Sequence, residues 1–120
     1  MLSGCQLDYD LDVIVHDGQV AFKLSDSRGN PAPLETLTVE SVTAKPRMLW
    51  RLETSQTNGI KISEVRFGKA PNGFKETVRA EKLVVGQLYR ATMFALGGTE
   101  SREFVISNTD PGGRTPVVLR

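Results

Sequence analysis

The stretch LDVIVHDGQVAFKL, residues 11–24, constrains the fold more than any other part of the chain. Apolar and polar residues alternate with a period of two on both sides of Asp17-Gly18. Alternation of this kind marks a half-buried strand, and Asp-Gly suits a two-residue hairpin turn because both central positions must tolerate positive φ. Folding the chain there sets the register. Val15 faces Val20, Val13 faces Phe22 and Leu11 faces Leu24, all on one side. The other side pairs His16 with Gln19, Ile14 with Ala21, and Asp12 with Lys23, the last an opposite-charge pair. One turn thus puts every large apolar residue except Ile14 on the core face.

The same period recurs along the chain. DSRGNPAP reads as a loop and TLTVESV as a strand, and PRMLWRLET alternates Met48, Trp50 and Leu52 inward. After a TNG turn, IKISEVRF places Ile60 and Ile62 on one parity but Val65 and Phe67 on the other, which predicts a bulge or bend near Ser63-Glu64. GKAPNGF carries two turn signals. QLYRATMFALGGTESREFVIS predicts a second hairpin. With Gly97-Gly98 as its turn, Met93 faces Arg102, Ala91 faces Phe104 and Tyr89 faces Ile106. Its first strand is apolar on both faces, as expected of a central strand. About seven short antiparallel strands over residues 11–107 predict an all-β sandwich, with a small barrel as the alternative. Residues 1–10 read as a lead-in, and 108–120 as a linker-like tail ending either disordered or as a short added strand through Val117-Val118-Leu119.

Net charge is +1, which gives no global reason to bind nucleic acid. The charge is unevenly placed. Residues 1–40 hold seven acids against two bases, and residues 41–120 hold seven acids against thirteen bases. Mutual neutralisation within one fold is the expectation; a basic binding face is the alternative. No apolar run approaches the ~18 residues of a membrane span.

EKLVVGQLYRATMFA brings a resemblance into view. Leu83, Gly86 and Tyr89, followed by the alternating strand to Ala95, are similar to the corner between strands E and F of fibronectin type III domains. The resemblance implies an immunoglobulin-like or fibronectin type III-like sandwich. Leu83 would plug the core, Gly86 would turn the chain and the Tyr89 hydroxyl would bond back to the backbone. Trp50 would be a core aromatic between the sheets.

Residues that carry chemistry are few. His16 is the only histidine and Cys5 the only cysteine. In the hairpin register His16 sits on the outer face beside the turn, without the partner acid or cavity of a general base. The chain supplies no standard zinc ligand set, and no cofactor is expected. Asp8, Asp10 and Asp12 alternate as a solvated acidic lead-in, with a weak cation site as the alternative; the glycine and distal glutamate of an EF-hand are missing. No phosphate-binding glycine loop or nucleophile elbow is present. These observations predict a protein that is not an enzyme. The candidate binding loop is FGKAPNGFK, in which Phe67, Lys69, Asn72, Phe74 and Lys75 could contact a sugar ring or a protein partner. The alternative is that both phenylalanines fold inward.

At the N-terminus, Leu2-Ser3-Gly4-Cys5 resembles the lipobox of bacterial lipoproteins, an aliphatic residue and two small residues before a cysteine that becomes lipidated. The resemblance implies that Cys5 is a lipid anchor and that the basic and apolar parts of the signal peptide lie upstream of Met1. Gln6, in place of the aspartate that commonly retains such proteins at the inner membrane, implies the periplasmic face of the outer membrane. The first functional expectation is therefore a membrane-anchored envelope lipoprotein acting as a binding or assembly module with an unknown envelope protein partner. Two alternatives stand beside it. One is a soluble carbohydrate-binding module using the 67–75 loop, and the other is an inhibitor or immunity-type protein presenting an edge strand.

Overall fold

The structure, a computed structural model, describes residues 8–16 and 19–106. The Asp17-Gly18 turn, Cys5 and the tail from residue 107 lie outside the described residues, as does the side chain of His16. Nine strands follow in order: β1 (Tyr9–His16), β2 (Gln19–Asp26), β3 (Ala32–Ser41), β4 (Met48–Glu53), β5 (Ile60–Ile62), β6 (Glu64–Arg66), β7 (Lys75–Val78), β8 (Leu88–Ala95) and β9 (Gly98–Val105). The described residues contain no helix. The strands form two antiparallel sheets. One has the order β1-β2-β6, and the other has the order β7-β4-β3-β8-β9 with β5 also paired to β3. Two sheets that each bury one face across a shared core make a sandwich-like all-β fold rather than a barrel closed by one continuous ladder.

The first hairpin has the register the alternation demands: Val15↔Val20, Val13↔Phe22, Leu11↔Leu24 and Asp12↔Lys23. Leu11, Val13, Val20, Phe22 and Leu24 are buried, whereas Val15, beside the turn, is 37% exposed because it lies beyond the edge of the core.

The parity change at Ser63-Glu64 is the point where the chain switches sheets. Ile60 and Ile62 pair with Leu34 and Ala32 of β3, whereas Val65 pairs with Phe22 of β2. Ser63 is already held by the second sheet, since its carbonyl accepts the Leu24 N–H at 2.8 Å. A strand that changes sheets must turn a different set of side chains to the core, and this is why the apolar phase slips.

The second hairpin differs from expectation by two residues. Ala95 pairs with Gly98, Met93 with Glu100, Ala91 with Arg102 and Tyr89 with Phe104. The turn is therefore Leu96-Gly97, with Gly97 at φ +80°, a conformation glycine adopts without a Cβ clash. A slip of two preserves the pleat, so Tyr89, Ala91 and Met93 still face the core. β8 is a central strand between β3 and β9.

Two further boundaries differ. β3 begins at Ala32, within the expected loop, because pairing with β5 captures Ala32-Pro33-Leu34. β7, within KETV, has a single apolar residue to signal it, and its pairing with the edge of β4 makes it a strand.

The core draws on both sheets. Phe22 of β2 lies 6.1 Å from Trp50 of β4 and 6.0 Å from Phe104 of β9, centroid to centroid. Trp50 is fully buried, as expected of an aromatic between sheets, and its indole N–H donates to Glu76 Oε2 at 2.8 Å. The acidic first part and basic remainder of the chain meet in ion pairs, Arg102 with Asp12 at 3.3 Å and Arg90 with Glu40 at 3.6 Å; Arg90 also pairs with Glu103 of its own part at 2.8 Å.

Candidate functional site

The 67–75 loop divides its expected contact residues. Phe67 is half-buried against the core with its ring 5.0 Å from Trp50, and Phe74 is buried. Lys69, Asn72 and Lys75 are exposed. The structure thus spends both aromatics on packing and leaves the polar residues outside. A shallow depression beside Phe74 is lined by Glu53, Ser55, Lys75 and Thr77, with no exposed ring to stack on a sugar.

The long strands give the sandwich two ends. β8 alone, with eight residues, spans about 25 Å between them. At one end β1 begins at Tyr9, opposite Asp26. The Tyr9 hydroxyl donates to the Leu96 carbonyl, tying the start of β1 to the β8–β9 turn. Burial and the nearby Asp26 and Glu35 carboxylates raise the Tyr9 pKa. The Asp26 carboxylate organises the adjoining loop, accepting the N–H groups of Arg28 and Asn30, each at 2.9 Å. Those hydrogen bonds, the Asn30 N–H foremost, lower the Asp26 pKa. Asp26, Arg28, Asn30 and Lys61 surround a cleft above Tyr9. Its charges are of both signs. Asp8, Asp10 and Asp12 occupy the exposed face of this part of the chain; Asp10 and Asp12 belong to β1 rather than to a lead-in. Among the described residues no cluster of three or more His, Cys, Asp or Glu is arranged to hold a metal ion.

At the opposite end the 42–47 and 79–87 loops lie side by side. Glu81 N–H donates to the Leu49 carbonyl at 3.2 Å, Val42 N–H to the Leu88 carbonyl at 2.9 Å, and Arg47 pairs with Glu81 at 2.5 Å. The Leu83–Tyr89 corner forms here. Leu83 packs against the core, and the buried Tyr89 hydroxyl accepts the Val84 N–H at 2.6 Å. Gly86 has φ +86°, and its N–H donates to the Ile106 carbonyl at 2.8 Å. The corner also turns Val84 and Val85 outward, 60% and 51% exposed, beside Lys82. A cleft of about 280 Å³ between the loops is lined by Ser41, Thr43, Lys45, Lys82, Val84 and Gln87 among others. The Leu83, Gly86 and Tyr89 spacing predicts this corner as a structural pin and does not predict a surface beside it. The sequence signal for that surface is the Val84-Val85 pair between Leu83 and Gly86, which the corner leaves exposed.

No family model, curated protein or solved structure matches the chain.

Proposed function

We propose that the chain is a non-enzymatic binding or assembly module of the bacterial envelope, tethered to a membrane by a lipid on Cys5 and presenting its far-end loops to a protein partner. The observation that carries this reading is where the chain enters the fold. Leu2-Ser3-Gly4-Cys5 lies immediately before a domain whose first strand starts at Tyr9, at the end opposite the 42–47 and 79–87 loops. Four residue steps from Cys5 to Tyr9 reach about 13 Å, so a lipid at Cys5 would hold the Asp26 end near the bilayer. The exposed Val84-Val85 corner would then face away from it. Gln6 favours the outer membrane.

The domain itself we read as an immunoglobulin-like or fibronectin type III-like sandwich. The ladders β1-β2-β6 and β3-β8-β9 match the A-B-E and C-F-G order of such sandwiches. The Tyr89–Val84 hydrogen bond supports the same reading.

Fractionation of Gram-negative cells expressing the protein with its upstream coding sequence tests the anchor. The native protein is expected in the outer-membrane fraction and Cys5→Ala in the soluble fraction. Identical distribution of the two would overturn the anchored reading.

A further inference from the structure

We infer that the cleft between the 42–47 and 79–87 loops is a docking site for an acidic segment of a partner protein, with carboxylates on Lys45 and Lys82 and an apolar side chain against Val84. The inference rests on the reading of the chain as a binding module but not on the lipid at Cys5.

Three observations combine. First, the charge is one-sided. Lys45, Arg47 and Lys82 line the cleft, and the neighbouring acid, Glu81, is engaged by Arg47. Lys45 and Lys82 are exposed and have no acidic partner among the described residues. Elsewhere on the sandwich Arg90 and Arg102 are engaged by Glu40, Glu103 and Asp12, whereas Lys45 and Lys82 bring two of the remaining cations together at one cleft. Lysines at a cleft rim steer and orient an acidic partner.

Second, the apolar contact is preorganised. Val84 is held by the Tyr89 hydroxyl at 2.6 Å and its carbonyl accepts the Gln87 N–H at 3.2 Å, while Val85 bridges to Ile106. Both valines are held exposed by backbone hydrogen bonds, and a partner meeting them need not order the loop first.

Third, the shape suits a peptide more than a bilayer. The site is concave, and its walls are polar: Ser41 Oγ accepts the Arg47 N–H, Thr43 Oγ1 donates to the Lys45 carbonyl and Gln87 Nε2 to the Leu88 carbonyl, which fixes the walls and leaves the Gln87 amide oxygen as a further acceptor. Two valines supply little apolar area for insertion into lipid.

The test is a titration of the isotopically labelled full chain with a short synthetic peptide of glutamate and leucine, followed by amide NMR shifts. Flotation with phosphatidylglycerol vesicles runs in parallel. The expected result is a set of shifts confined to residues 42–47 and 81–87. Affinity should fall at least about tenfold in the Lys45→Glu/Lys82→Glu double variant and stay unchanged in Lys61→Glu at the opposite end. Tryptophan fluorescence checks that each variant is folded, as expected for substitutions of exposed residues. Shifts centred elsewhere, absence of binding, equal binding by the double variant, or capture by vesicles in preference to the peptide would each overturn the inference. Cys5→Ala fractionation reads the anchor alone, so the two ideas can fail separately.

Discussion

The side chain of Arg102 joins the two sheets at their edge: its Nε donates to the carbonyl of Leu11, 3.1 Å away and 91 positions earlier in the chain. Leu11 belongs to β1 and Arg102 to β9, strands of different sheets that share no ladder. The same guanidinium reaches Asp12 at 3.3 Å. One side chain thus satisfies an edge carbonyl of one sheet while anchored in the other. Lysine can supply the charge but not the fork. Arg102→Lys is expected to lower stability by about 1 kcal/mol and Asp12→Asn by less, because the ion pair is largely exposed. Urea unfolding of both variants measures the difference. Equal losses would mean that the ion pair, not the carbonyl contact, carries the effect.

The Tyr89 hydroxyl is the acceptor for the Val84 N–H at the corner. Tyr89→Phe removes that acceptor while keeping the ring, which packs on Phe104 with centroids 5.6 Å apart. The expected cost is about 1–2 kcal/mol, with faster hydrogen exchange at Val84. Unchanged exchange there would show that the corner does not depend on the hydroxyl.

Trp50 is the only tryptophan, fully buried and hydrogen-bonded to Glu76, so its fluorescence reports sheet packing directly. Emission is expected to shift red on unfolding. Trp50→Phe should cost about 2 kcal/mol through lost volume and the lost N–H donor. Chemical denaturation followed by circular dichroism provides the value.

Phe74 packs in the core although its neighbours in the loop are exposed. Phe74→Ala is therefore expected to destabilise the fold by about 3 kcal/mol, whereas Lys69→Ala changes stability by less than about 0.5 kcal/mol. A stable Phe74→Ala variant would place that ring outside the core.

Asp26 has a lowered pKa in the folded protein because backbone N–H groups stabilise its charged form. A depressed carboxyl contributes stability above its unfolded pKa, and that contribution is lost as pH falls through the folded value. The native protein should thus melt above Asp26→Asn at neutral pH. The gap should close as pH falls below the ordinary carboxyl range of about 4. Thermal melts across that range check the sign; a gap that widens in acid contradicts it.

Much of this structure is local in origin, and that part was legible in the chain. The 11–24 alternation specifies its own partner through one turn, so the register of β1 and β2 follows from period alone. The Leu83–Gly86–Tyr89 spacing carries the corner, since the hydroxyl reaches only five residues back. The parity change at Ser63 announced a break. Which sheet each half joins was decided by β3 and β2, whose open ladders lie far away in sequence. Tertiary structure likewise moved the second turn by one residue, which slips the pairing register by two, a slip the pleat permits because it leaves every side chain on its face. Pairing with an edge made a strand of KETV, and core volume drew Phe67 and Phe74 inside. Charge followed the same division. Composition established an acidic start and a basic remainder, but only the packing of β9 against β1 and of β8 between its neighbours determined which arginines were neutralised. It also determined which lysines, at the Val84 corner, were left facing solvent. Short-range periods are encoded in consecutive residues, whereas pairing and burial are properties of surfaces that exist only once the sheets have met.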